Sequence, residues 1–319
     1  MATAQTLSIQ NYPLTSMLDK LPSYQEPRKK LDAVDQNSNT PPSFKPLHDD
    51  LNTTILTSPI KAISWKDSTR PFFLQDQKVT MARLDISNLT EVLDRNKRRS
   101  PPTTLDHSIY GLVLGLPYGK IEIWDVNGTR TSIFNSGDSS AVTSTAALGN
   151  NILCGSEHLS LFDLRQQQPV WTKLDLEKNP IPTVSFVSDR LMMSGHHDHF
   201  SLWDMRRPRT PLAQPQVSIT SHHWYGSRMI STGNNMVHLW QMTSTHLNLS
   251  CSLPLNGCSK VYLGPNKAAA IALEKLYTCT SKELKVTKTH HENPPSAMNP
   301  EKNRILTQTE SGHLRLFRL

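Results

Sequence analysis

One short pattern recurs along this chain, and it constrains the fold more than any other feature. It reads KIEIWDV at 120–126, LSLFDLR at 159–165, FSLWDMR at 200–206, MVHLWQM at 236–242 and HLRLFRL at 313–319. In each copy apolar residues alternate with others and the run closes on an aromatic, the period-2 signature of a half-buried β-strand. Two weaker copies, VTMARLDI at 79–86 and ELKVTKT at 283–289, complete a set of seven, with Leu84 and Thr287 in the aromatic slot. From Leu84 through Trp124, Phe162, Trp203, Trp240 and Thr287 to Phe317 the slots are spaced 40, 38, 41, 37, 47 and 30 residues apart. Strand-like runs such as IPTVSFVSD and RLMMSGH stand upstream of most copies, so each period holds four short strands.

A sheet of four short strands cannot cover its own apolar faces and has to stack on its neighbours. Seven such units predict an all-β, seven-bladed β-propeller over residues 51–319. The strand ends resemble the WD-repeat family, whose blades finish on a Trp-Asp pair: Trp124-Asp125 and Trp203-Asp204 match it, and Phe162-Asp163 nearly does. The resemblance spans about residues 52–319, and it departs from the family where Gln241 follows Trp240, where Arg318 follows Phe317, and where no Gly-His dipeptide opens a repeat. The repeat holding Trp203 comes nearest, with Ser194 in the preceding strand and Asp198 in the turn. Without the family's His, Asp198 is expected to bond neighbouring backbone N–H groups.

Because the last repeated strand runs to Leu319, the seventh blade needs an outer strand from elsewhere. Leu51 to Thr57, rich in β-formers and placed before the first inner strand at 60–65, is expected to supply it and close the ring. Residues 1–50 are rich in Pro, Ser, Asn, Gln and charge and read as a disordered arm. Within it, 14–21 and 28–34 can form short helices when docked on a partner.

The arm carries five Lys/Arg against six Asp/Glu, leaving 29 against 21 and a net charge of +8 on the remainder. That excess permits contact with acidic proteins or nucleic acid. Four cysteines, Cys154, Cys251, Cys258 and Cys279, form no CxxC pair, which fits a reducing compartment. The start of the chain lacks the charge pattern and apolar stretch of a signal peptide, and no run of about 18 apolar residues follows. The expectation is a protein of the nucleus or cytoplasm with no membrane partner.

No catalytic signature is present: no nucleophile elbow, no HExxH, and Gly115 to Lys120 is one residue short of a phosphate loop. The chain reads as a non-enzyme with no cofactor. His196, His197, Asp198 and His199 offer metal-type side chains, but alternate residues in a turn point apart and no Cys accompanies them, so no metal site is expected. That turn, with those around Tyr118 and Asn234, is expected to be exposed on the upper face, where His197, Tyr118 and Asn234 meet protein partners. His222, His223, His290 and His291 read as surface loops.

Two successive repeats end in Asp-x-Arg: Asp163 with Arg165 and Asp204 with Arg206. This resembles the double box of substrate receptors of the cullin-4 RING ubiquitin ligases, which implies that both Arg side chains contact the ligase adaptor and that both Asp orient their turns. Arg offers a planar fork for carboxylate or carbonyl acceptors on a partner, yet it can equally bond its own Asp. The rival reading is a nucleic-acid- or chromatin-associated propeller. It would use the basic loop Arg95, Lys97, Arg98 and Arg99 together with Arg206, Arg207 and Arg209, and its binding would weaken steeply with salt.

Overall fold

The structure is a computed structural model and describes residues 11–13, 62–64, 72–74, 79–83, 88–93, 100–108, 110–125, 127–166, 168–174, 179–243, 246–265, 267–272, 275–290, 295–299, 304–308 and 314–318. These form seven antiparallel sheets in chain order, with no helix among the described residues. The second is representative, with strands Thr104–Ser108, Gly111–Gly115, Lys120–Trp124 and Arg130–Asn135 in that order. The third comprises Ser144–Leu148, Asn151–Gly155, His158–Asp163 and Pro169–Leu174, and the fourth Thr183–Phe186, Leu191–Gly195 and Phe200–Asp204. The fifth has Ser221–Tyr225, Arg228–Gly233, Met236–Met242 and His246–Pro254, and the sixth Cys258–Leu263, Lys267–Ala272, Lys275–Thr280 and Val286–His290. The first begins at Ala62–Ser64 and the seventh ends at Leu314–Arg318.

The recurring sequence pattern is the third strand of its sheet. There the slot residue pairs with the second residue of the strand before it: Trp124 with Leu112, Phe162 with Ile152, Trp203 with Met192, Trp240 with Met229, and Phe317 with Ile305. By the same register the sixth slot belongs to Cys279, opposite Ala268, and not to Thr287, which lies on the outer strand. The sequence expectation placed that copy one strand too late, because the true third strand, KLYTCT, has no aromatic and ELKVTKT alternates well by chance. With Cys279 in the slot the last two intervals become 39 and 38 residues. A register shift toward the outer strand falls just before the slot in the second, third, fifth and sixth sheets, so the repeat extends to its β-bulge.

The slot side chains Trp124, Phe162, Trp203, Trp240 and Cys279 are core, and three of the aromatic ones reach back to a ring of the preceding sheet. Phe162 meets Phe134 at 5.5 Å between ring centroids, Trp203 meets Trp171 at 5.5 Å and Trp240 meets Phe200 at 5.0 Å. One apolar layer fills each gap described from the first sheet to the sixth. First strands also lie against one another from the first sheet to the fourth and between the fifth and sixth, making them the inner wall of the stack.

Two backbone devices set the spacing. Val142 N donates to Leu116 O at 3.1 Å, Ile181 N to Ser156 O at 2.8 Å and Ile219 N to His196 O at 2.9 Å, each tying one sheet to the next. At the end of the second strand in the second to fifth sheets stands a glycine, Gly115, Gly155, Gly195 or Gly233, where an added Cβ would come within 2.3, 2.5, 2.7 and 2.1 Å of the neighbouring atoms. Such distances leave room only for hydrogen.

The N-terminal reading needs one correction. Asn11–Pro13, inside the stretch expected to be disordered, is a strand paired antiparallel with Asn248, Leu247 and His246, the fifth strand of the fifth sheet. The expected short helices at 14–21 and 28–34, the closing strand at 51–57 and the basic loop with Arg95, Lys97, Arg98 and Arg99 lie outside the described residues.

Candidate interaction faces

The third strands of the third and fourth sheets each end in a tight turn, and the residue that ends the strand decides it. Asp163 and Asp204 are nearly buried there, with side chains 9% and 8% exposed. The carboxylate of Asp163 accepts the backbone N–H of Arg165 at 3.0 Å, and Asp204 that of Arg206 at 2.9 Å. Both guanidinium groups then fold back onto the same carboxylates: Arg165 Nε to Asp163 Oδ1 at 2.9 Å and Arg206 Nε to Asp204 Oδ1 at 3.0 Å, with a second Nη2 bond in each pair. The open possibility in the sequence is thereby decided: each Arg bonds its own Asp. These bonds hold the Asp163 carboxyl down at about 2 and lower that of Asp204 below the ordinary carboxylate range. The guanidinium groups nevertheless stay 73% and 57% exposed, so each presents its remaining N–H donors outward from a fixed orientation.

Tyr110, in the turn between the first two strands of the second sheet, is 50% exposed.

The upper-face candidates sit at the opposite sheet ends, in turns between second and third strands. Tyr118 is 67% exposed and adopts a left-handed φ of 63°, followed by Gly119 at 65°. A tyrosine there is strained where Asn or Gly would not be, and strain on an exposed aromatic is a mark of functional surfaces. Asn234, with φ 50°, and His197 are exposed in the matching turns of the fifth and fourth sheets. The predicted site residues therefore divide between two faces.

The histidine cluster does not behave as one exposed turn. His196 is buried at 8%, its Nε2 lies 3.1 Å from Ser194 Oγ, and Trp203 Nε1 donates to that same hydroxyl at 3.1 Å. Asp198 meets His199 Nδ1 at 2.6 Å, so its side chain finds an imidazole where backbone N–H partners were expected. Among the described residues no group of three or more His, Cys, Asp or Glu is arranged to hold a metal ion.

His222 and His223 are likewise not in a surface loop, because they occupy the inner strand of the fifth sheet. His222 reaches the fourth sheet, with Nδ1 3.0 Å from Thr183 Oγ1 and Nε2 2.6 Å from Ser185 Oγ, while His223 Nδ1 accepts Leu263 N of the sixth at 3.4 Å. Burial, the dominant cause for both, lowers them to about 3 and about 4. They are neutral links between inner strands.

With that geometry in place, comparison with known proteins separates sequence from fold. No family model matches the chain, and no curated protein does. By backbone, 1268 solved chains match. One, from the crystal structure of the mitotic checkpoint complex, is 15% identical, covers 93% of this chain and 99% of its own length, and has a TM-score of 0.71. Another, the computationally designed Ika8 protein, is 14% identical, covers 85% and 100%, and has a TM-score of 0.64. The fold is that of the β-propellers, and within it Trp124-Asp125 and Trp203-Asp204 end third strands, in keeping with the WD-repeat resemblance.

Proposed function

We propose that the chain is a non-catalytic protein-interaction scaffold, a closed seven-bladed ring that docks on a ligase adaptor as a substrate receptor of a cullin-4 RING ubiquitin ligase. The observation that carries this reading is the duplicated geometry of Asp163-Arg165 and Asp204-Arg206. Adjacent sheets present two guanidinium groups, each clamped by a buried carboxylate and each still largely open to solvent. A clamped fork loses less side-chain entropy on binding than a free one, which is the advantage of preorganisation. The upper-face turns with Tyr118, His197 and Asn234 would then be left for the substrate.

Pull-down of the adaptor by the wild type, compared with the Arg165→Ala plus Arg206→Ala variant, tests it. Capture by the wild type and at least tenfold less by the variant is expected; equal capture, or none by either, overturns the reading. One observation favours a second reading, association with nucleic acid: Arg206, Arg207 and Arg209 are all exposed in one loop. Binding to duplex DNA that falls steeply between 50 and 200 mM salt, by roughly a thousandfold for about six phosphate contacts, would support it.

A further inference from the structure

Sheet edges are hazardous because their unpaired N–H and C=O groups invite another strand, and charged side chains or proline usually guard them. Four outer strands obey that rule: Asn88–Leu93 carries Glu91, Arg130–Asn135 carries Arg130, Pro169–Leu174 carries Lys173, and Val286–His290 carries Lys288. The outer strand of the fifth sheet has no charged guard and a proline only at its last residue, Pro254. His246–Pro254, HLNLSCSLP, is nine residues long, the longest strand among those described, and holds no Lys, Arg, Asp or Glu.

This unguarded edge is also where an extra strand is seated. Asn11, Tyr12 and Pro13 pair with Asn248, Leu247 and His246, three residue pairs that finish on a proline without an N–H. Opposite Asn11, the side-chain Oδ1 of Asn248 is buried without a hydrogen-bond partner. An arriving strand with a donor at that register would satisfy it.

We propose that this edge is a strand-addition site, held in cis by the chain's own N-terminal tripeptide and taken in trans by an extended, uncharged segment of a partner protein. Main-chain bonds supply the affinity in such augmentation, and alternate side chains supply the selectivity. The arm competes at a tethered concentration on the order of millimolar. The arm therefore raises the threshold for entry without closing the site. The site is on the rim, so the proposal stands apart from the adaptor reading above.

A fluorescent peptide with the sequence of residues 7–14, LSIQNYPL, serves as the probe, titrated onto the full chain. Replacing Asn11 and Tyr12 together by proline removes whichever of two successive N–H groups faces the sheet. The Asn11→Pro plus Tyr12→Pro chain should bind the peptide at least tenfold more tightly than the wild type, as should a chain beginning at residue 14. Adding Ser250→Lys should return binding to the wild-type level or below. Equal affinity for wild type and arm variants, or binding indifferent to Ser250→Lys, overturns the proposal. A concentration-dependent dimer of the wild type that the arm variants lose would assign the edge to a second copy and overturn the partner reading.

Discussion

The second sheet and the two that follow start from the same ending and build different surfaces. In the second, Asp125 after Trp124 accepts the backbone N–H groups of Asn127 at 2.9 Å and Thr129 at 2.7 Å, and the nearby Arg130 turns inward to Glu122 at 3.2 Å. In the third and fourth, the Asp forms the turn and also grips an Arg two residues on. The aspartate is therefore a turn-former wherever it occurs. The arginine is an addition that two sheets carry, and nothing in the turn requires it.

The largest test strikes what these sheets share, the slot. Trp203→Ala should lower stability by about 3–5 kcal/mol, read as a shift in denaturant midpoint, while Cys279→Ala in the sixth slot should cost about 1 kcal/mol, since a thiol removes far less volume. Similar losses at both positions would show that the sixth sheet is not the weak copy its sequence suggests.

Acid should expose the inner wall next. His222 and His223 have folded values lowered to about 3 and about 4, below an unfolded value near 6.5, so the unfolded chain binds more protons between those limits. Stability should thus be full above pH 6.5 and fall as pH drops toward 4, by on the order of 3 kcal/mol for each histidine. His222→Asn should flatten that slope in thermal melts recorded across the range. A slope unchanged by the substitution would place the titration elsewhere.

Smaller effects separate turn from clamp. Asp125→Ala and Asp204→Ala should each cost about 1 kcal/mol, because both strip backbone N–H groups of an acceptor. Arg206→Ala should cost less than either, since an exposed ion pair contributes little. If Arg206→Ala proves as costly as Asp204→Ala, the clamp is structural and its docking role loses its basis.

The aromatic slots made most of the fold legible, because a Trp or Phe closing an alternating strand is hard to produce by other means. The sixth sheet escaped for the converse reason: Cys279 fills the same buried position while leaving no aromatic to notice. The histidines misled through chemistry. An imidazole whose nitrogens meet Ser and Thr hydroxyls is comfortable inside a protein in its neutral form, yet sequence alone gives His222 the look of a polar loop residue. The Asp-x-Arg pairs were legible as residues but not as a clamp, since the fork depends on the turn bringing each side chain back.

The glycines that end the second strands of the second to fifth sheets have a consequence for how tightly the segments between sheets can lie. Each leaves room for a neighbouring segment to press against the end of its strand. A single methyl at Gly233 would have to push against the backbone oxygen of Ser218. That would prise the fifth sheet away from the connector that leads into it. Close packing at these joints is thus set by hydrogens where a methyl group would not fit.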